Sequence, residues 1–193
     1  MSRALISVYN KVDLGDFSRF LLSLGVEIVS SGGTAKFLQS EGIEVRPVGE
    51  VTGFPEVLDG RVKTLHPVVH AGILARRSRA GDMETLATHS LEPVDWVVVN
   101  LYPFREKVLE LENEQELLEF IDIGGPTMIR AAAKNFHDVV VVSDPADYGL
   151  VMKEYRDCGE VSIDTRRYLA EKVFRLMSAY DLAIADFLAK SLR

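Results

Sequence analysis

Five stretches of this sequence carry side chains whose types and spacing can do chemistry. Tyr9, Asn10 and Lys11 follow an apolar run, and Ser30-Ser31-Gly32-Gly33-Thr34 precedes a helical one. Paired glycines let backbone N–H groups approach a ligand, hydroxyls add donors, and a helix N-terminus favours negative charge, so the second stretch describes a phosphate cradle. It equally describes an ordinary turn between a strand and a helix. Arg61, Lys63, Thr64, His66 and His70 form a cationic cluster, and the two cations at i and i+2 point alike if the chain there is extended. A solvated loop is the alternative. His66 and His70 are spaced i, i+4, but Pro67 lies between them with no acidic helix motif around, so no metal is expected. Asn100 and Tyr102 offer a carboxamide and a phenol that can orient a polar ligand, or a packing corner with Pro103. Ile121-Asp122-Ile123-Gly124-Gly125 sets one carboxylate ahead of a helix, as ligand contact or as cap. Arg130 and Lys134 lie at i, i+4 on one face of that helix.

Positioning these residues requires a scaffold, and the hydrophobic pattern supplies one. Ala4 to Tyr9 and Val26 to Val29 read as strands, Leu14 to Leu24 and Ala35 to Glu41 as helices, and Ile43 to Val48 as a third strand. Asp13 is the expected cap of the first helix, which Gly25 closes. This β-α-β-α-β order implies a three-layer α/β fold, a mostly parallel sheet flanked by helices. Thr52 to Pro67 is punctuated by Gly53, Pro55 and Gly60 and has no period, which in a compact α/β domain marks a functional loop. Val94 to Asn100 reads as a strand buried on both faces. Arg105 to Phe120 reads as one or two exposed helices, Pro126 to Lys134 as a helix opened by proline, and Asp138 to Val142 as a last strand. A helix to about Arg156 and a long amphipathic helix from Asp164 complete a C-terminal helical extension. The expected organisation is one domain over residues 1–193, with an α/β core at 1–150 and C-terminal helices at 151–193. Ligands of open parallel sheets bind beyond the carboxyl ends of the strands, where all five stretches fall.

Composition bounds the function. The 193 residues are 47% hydrophobic and 26% charged, which excludes a disordered chain. A net charge of −7 argues against a general nucleic-acid or acidic-membrane binder, yet permits a small anion site. Cys158 is the single cysteine, so no internal disulfide or multi-thiolate zinc site forms. No apolar stretch approaches the roughly 20 residues of a membrane span and none makes a signal-peptide core, so a cytoplasmic protein is expected.

Several runs resemble a known family. They are Ser7-Val8-Tyr9-Asn10-Lys11, Ser31-Gly32-Gly33-Thr34-Ala35, Thr52-Gly53-Phe54-Pro55-Glu56, the stretch from Gly60 to Leu74, Asn100-Leu101-Tyr102-Pro103-Phe104, and Ile121 to Gly125 continuing through Ala131-Ala132-Ala133-Lys134-Asn135. In order and over essentially the whole chain, they are similar to the inosine monophosphate (IMP) cyclohydrolase domain of the bifunctional purine biosynthesis proteins. The family often has Asp where this chain has Asn10, which bears on that side chain and not on the loop.

The resemblance implies a methylglyoxal-synthase-like fold and closure of the second purine ring. In that reaction 5-formamidoimidazole-4-carboxamide ribotide (FAICAR) becomes IMP and water, without a cofactor. It implies Lys134 as the main proton donor and acceptor, Lys63 polarising the formyl oxygen, Asp122 holding and helping to deprotonate the carboxamide, and Tyr102 with Asn100 orienting the reacting arms. Ser31, Gly32, Gly33, Thr34 and Lys11 would hold the 5′-phosphate beside Tyr9 and Asn10. Arg61 and Thr64, with Ile123 and Gly124, would meet the base or phosphate edge. It further implies a homodimer, a nucleotide as the small-molecule partner, and a formyltransferase that is separate or missing. The chain is then a stand-alone cyclohydrolase or a fragment. Two rivals share the fold: a phosphate-eliminating lyase acting on a triose phosphate, and a non-catalytic nucleotide-sensing module.

Overall fold

A computed structural model of the chain describes residues 2–111 and 113–190. Strand β1 (Arg3–Val8) leads into helix α1 (Leu14–Ser23), then β2 (Glu27–Ser30), α2 (Gly32–Ser40), β3 (Arg46–Pro47) and α3 (Val48–Thr52). An irregular segment reaches α4 (Pro67–Leu74) and α5 (Ala80–Thr88), which precede β4 (Trp96–Asn100). Next come α6 (Phe104–Glu110), α7 (Glu114–Glu119), α8 (Gly124–Lys134) and β5 (Val140–Val142). A 3-10 turn at Pro145–Asp147, α9 (Tyr148–Cys158) and the 28-residue α10 (Ile163–Lys190) finish the described chain.

All strand pairs are parallel, in the order β3-β2-β1-β4-β5, so the mostly parallel sheet expected from the sequence is wholly parallel. Central β1 pairs Ile6 with Ser30 on one side and with Val98 on the other. Its burial on both faces explains the near-continuous apolar runs of β1, β4 and β5. Helices α1 and α9 pack together on one face, where Phe17 stacks on Tyr148 at 4.4 Å between ring centroids. On the other face α8 contacts β4, β5, α4 and α10. One hydrophobic cluster joins these layers, from Ala4 through Val98 and Ile129 to Tyr180.

Several elements differ from the sequence reading for local reasons. Asp13 precedes α1 in a left-handed conformation (φ 55°) and makes no side-chain cap. Helix α2 starts at Gly32, so both glycines of the cradle stand inside its first turn. The third strand shrinks to two residues because it is the sheet edge and Pro47 has no N–H to donate. Pro126 occupies the third position of α8, since the helix begins at Gly124. Helices α4 and α5 have no counterpart in the sequence reading. The first is apolar on several sides and lacks a clean period, and the second buries only Leu86.

Ile6 is fully buried at the centre of β1. Ile6→Ala is expected to lower the unfolding free energy by about 2–5 kcal/mol. A urea titration checks this, with a lower midpoint and an unchanged slope as the expected outcome.

Candidate active site

The carboxyl edge of the sheet is braced before it is functional. The Asn100 Oδ1 atom accepts the Tyr9 and Asn10 N–H groups, each at 2.8 Å, and its Nδ2 donates to the Asn10 carbonyl at 2.9 Å. This carboxamide is occupied in tying the β1 loop to the end of β4. Thr34 does the same for α2: its hydroxyl accepts the Val8 N–H and donates to the Val8 carbonyl, both at 3.0 Å. Asn10 folds back to accept the Val12 N–H at 3.0 Å. Asn10, Thr34 and Asn100, read from the sequence as ligand contacts, spend these side-chain groups on shaping the loops.

Two cavities open on this edge and share a wall. The smaller, of about 100 Å³, is lined by Tyr9, Lys11, Ser31, Gly33 and Thr34 among others. The larger, of about 260 Å³, is lined among others by Arg61, Thr64, Ile121, Ile123, Gly124 and Gly125. Ser7, Lys63, Tyr102 and Asp122 line both. Together the cavities are of the size that small-molecule sites take, roughly 300–1,000 Å³. A larger depression of about 550 Å³ at the β2–β3 edge is lined by residues such as Leu22, Val26, Glu27 and Arg46, without a comparable convergence of hydroxyls and cations.

The small cavity suits an anion. The first N–H groups of α2 have no intrahelical partner and form the positive end of the helix dipole. Gly32 takes a left-handed φ of 54°, and a Cβ built on it would stand 3.5 Å from the Lys63 Nζ. The Lys63 ammonium therefore lies against the cradle. Lys11 adds a second cation, whose Nζ donates to the Tyr9 carbonyl at 3.2 Å.

Lys63 is delivered by a tight reversal in the irregular segment. Val57 and Val62 exchange N–H···O bonds at 3.1 and 3.3 Å, while Leu58, Asp59 and Gly60 all take left-handed backbone (φ 54°, 55° and 83°). Left-handed backbone costs about 1–2 kcal/mol at each non-glycine residue. Such a cost persists only where surrounding contacts hold it, as the paired valines do here. Arg61 reaches the rim, where its Nε lies 3.5 Å from Glu119 of α7.

The large cavity is organised by Asp122. Its Oδ1 accepts the Gly125 N–H at 3.1 Å, so the carboxylate sits over the first turn of α8 and serves as helix cap and cavity wall together. Burial raises its pKa above the usual aspartate value, while the Gly125 N–H and the Lys63 charge pull the other way. There is no room for a side chain behind it. A Cβ on Gly125 would collide with the Asp122 carboxylate, and one on Gly124 would come 2.7 Å from the Thr64 hydroxyl. Tyr102 and Tyr9 stand at the mouth with ring centroids 5.1 Å apart.

Lys134 is not brought to this site. It is exposed at the far end of α8, about 15 Å along the axis from Gly124 at roughly 1.5 Å per residue. The next residue, Asn135, donates to the carbonyls of Ile73 and Ala75 at the end of α4. Sharing a helix face with Arg130 does not bring Lys134 near the ligand cavities, because α8 meets them only with its N-terminus. The His66 Nδ1 accepts the Val68 N–H at 3.3 Å as the cap of α4, and burial lowers the pKa of His70. Ser7 and Asp59 line the cavities without having been singled out from the sequence. A hydroxyl near the carboxyl end of an apolar strand was the available signal for Ser7.

Residues 13–127 match the MGS-like domain family. The chain belongs to that family. Residues 132–193 match the AICARFT/IMPCHase bienzyme family. The chain is 60% identical over 186 residues to the bifunctional purine biosynthesis protein PurH of Clostridium beijerinckii, covering 96% of this chain and 37% of the relative. PurH of Clostridium kluyveri is 56% identical over 188 residues, with 97% and 38% covered. The chain thus spans little more than a third of the length of these curated relatives. A crystal structure of ForH superposes with a TM-score of 0.84 at 35% identity, over 97% of this chain and 98% of that one. The MGS-like match runs through β2, β3 and β4 into the first turn of α8, and the bienzyme-type match covers the last three residues of α8, β5, and all of α9 and α10.

Displacing Asp122 in this MGS-like site has a readable outcome. Gly125→Ala pushes the carboxylate toward solvent, so its titration falls back toward the ordinary value. Lys63→Met removes a charge that lowers it and moves the titration up. Carboxyl carbon NMR against pH measures both, and shifts of the same sign would contradict the arrangement.

Proposed function

We propose that this chain is an IMP cyclohydrolase, converting FAICAR to IMP and water in purine biosynthesis without a cofactor. The observation that carries the reading is the convergence of Lys63, Asp122, Tyr102 and Ser7 on the wall between an anion cradle and a polar cavity. Its 56–60% identity to PurH proteins supports it. The phosphate would occupy the small cavity, held by Lys11, Ser31, the N–H groups of Gly32 and Gly33, and Lys63. The heterocycle would occupy the large one, against Arg61, Thr64, Ile123 and Gly124.

Ring closure is intramolecular, so holding the two arms in contact supplies much of the acceleration. The carboxamide nitrogen attacks the formyl carbon and forms the new C–N bond. The formyl oxygen takes up negative charge, which Lys63 stabilises. The carboxamide nitrogen and the formamido nitrogen each lose one proton over the reaction, and both protons leave with that oxygen as water. Asp122, kept beside Lys63, accepts the first of them. Tyr102 stacks on and orients the reacting arms.

Lys134, the donor that the resemblance implies, cannot reach its own cavity, so within one subunit Lys63 returns the proton to the departing hydroxyl. Lys134 takes part only if a homodimer presents it to the partner's site. The formyl donor step belongs to a separate activity, and the site of action is the cytoplasm.

Ultraviolet absorbance of purified chain with FAICAR tests the reading. Lys63→Ala and Asp122→Asn are each expected to lower kcat by about 100-fold or more, with smaller changes in KM. Because Asp122 must be ionised and its pKa is raised, wild-type activity falls as pH drops through that raised value. Turnover of dihydroxyacetone phosphate instead would establish the lyase, and IMP binding without turnover the sensing module. Lys134→Ala retains wild-type activity if the reaction is completed within one subunit. If it is inactive, mixing it with inactive Lys63→Ala restores partial activity through hybrid dimers.

A further inference from the structure

Helix α10 crosses behind the site and places one polar group there. Tyr180 is buried, 6% exposed, with its ring edge-on to Phe104 at 6.2 Å. Its hydroxyl donates to the Phe120 carbonyl at 3.1 Å and accepts the Asp122 N–H at 2.8 Å. These two backbone groups flank Ile121, so one phenol clasps the turn that presents Asp122. Phe120 in turn meets the Tyr102 ring edge-on at 6.0 Å. Through this one residue α10 holds Asp122 on the wall of the large cavity directly and Tyr102 by way of Phe120. Burial raises the phenol's pKa, which keeps the hydroxyl protonated and able to donate while it accepts.

Resting on the cyclohydrolase reading, we infer that Tyr180 is a positioning residue for ring closure: it fixes the approach of Asp122, and through Phe120 that of Tyr102, without touching the substrate. Without the clasp the Asp122 N–H loses its partner, and the turn between α7 and α8 is free to rotate the carboxylate away from Lys63. The phosphate-holding groups stand on the loop after β1, at the start of α2 and on the irregular segment, and neither Tyr180 hydrogen bond goes to them. The clasp therefore acts chiefly on the chemical step: it leaves the phosphate contacts in place and reaches Ile123 and Gly124 only through the backbone of the turn. It also gives α10 a catalytic purpose beyond covering the sheet.

Tyr180→Phe tests this with the full chain. Expected are a fall in kcat of tenfold or more, a KM and an IMP dissociation constant within threefold of wild type, and amide exchange at Asp122 accelerated at least tenfold. Phe104→Leu is the packing control, since Phe104 touches the same ring but makes neither hydrogen bond. It should lower the melting temperature and leave kcat within twofold. Unchanged exchange, unchanged kcat, or an equal kcat loss in Phe104→Leu at a matched melting temperature would each overturn the inference. Exchange at Asp122 needs no substrate, so it judges the clasp even if the wild-type chain fails to close the ring, a failure that counts against the cyclohydrolase reading alone.

Discussion

A carboxylate taken out of water costs several kcal/mol unless charges and hydrogen bonds meet it. Asp122 is such a group, and much of this structure is arranged around keeping it in place. The first turn of α8 offers it N–H groups, Lys63 offers a charge from across the cavity, and Tyr180 holds its backbone. The glycines that follow it leave space a side chain would fill. Each contact comes from a different part of the chain, so the carboxylate is in position only when the sheet, the irregular segment and α10 are all assembled.

The same economy of charge runs through the rest of the molecule. The chain is acidic overall, yet its cations are sorted by what they meet. At the amino edge of the sheet Arg3 pairs with Glu27 at 2.6 Å, and Arg77 lies 3.4 Å from Asp95. On α10, Lys172 pairs with Asp144 and Asp147. Among the described residues, Lys11 and Lys63 are in no such pair. They keep their charge for the carboxyl edge, where a helix N-terminus already favours an anion. Arg61 is intermediate, bridging to Glu119 across the cavity mouth.

Parts of this were legible without coordinates because local physics decides them. Strands β1 and β4 are apolar runs that a doubly covered parallel sheet requires, and apolar residues from Leu169 to Leu188 keep a 3.6-residue period within α10. Other parts were hidden because the deciding partner is distant in sequence. Asn100 and Thr34 line the small cavity, and that Asn100 also braces the Tyr9–Asn10 loop and Thr34 the end of β1 shows only in the folded chain. Lys134 looks like a neighbour of Asp122 because Asp122 immediately precedes the helix that carries Lys134, but the length of α8 separates them. Tyr180 lies within the long amphipathic helix, and nothing in its surroundings in sequence points to Phe120 and Asp122.

The sequence by itself determined the α/β class, the parallel order of strand and helix, and the chemical character of the loops that gather at one edge, because periodicity and loop composition are local properties. Tertiary structure decided which of those loop residues face the cavities and which of them brace the loops as well. It also removed Lys134 from the site of its own chain and brought in Tyr180. Hydrogen-bond satisfaction and the direction of a helix axis set those outcomes, and both depend on contacts between residues far apart in the chain.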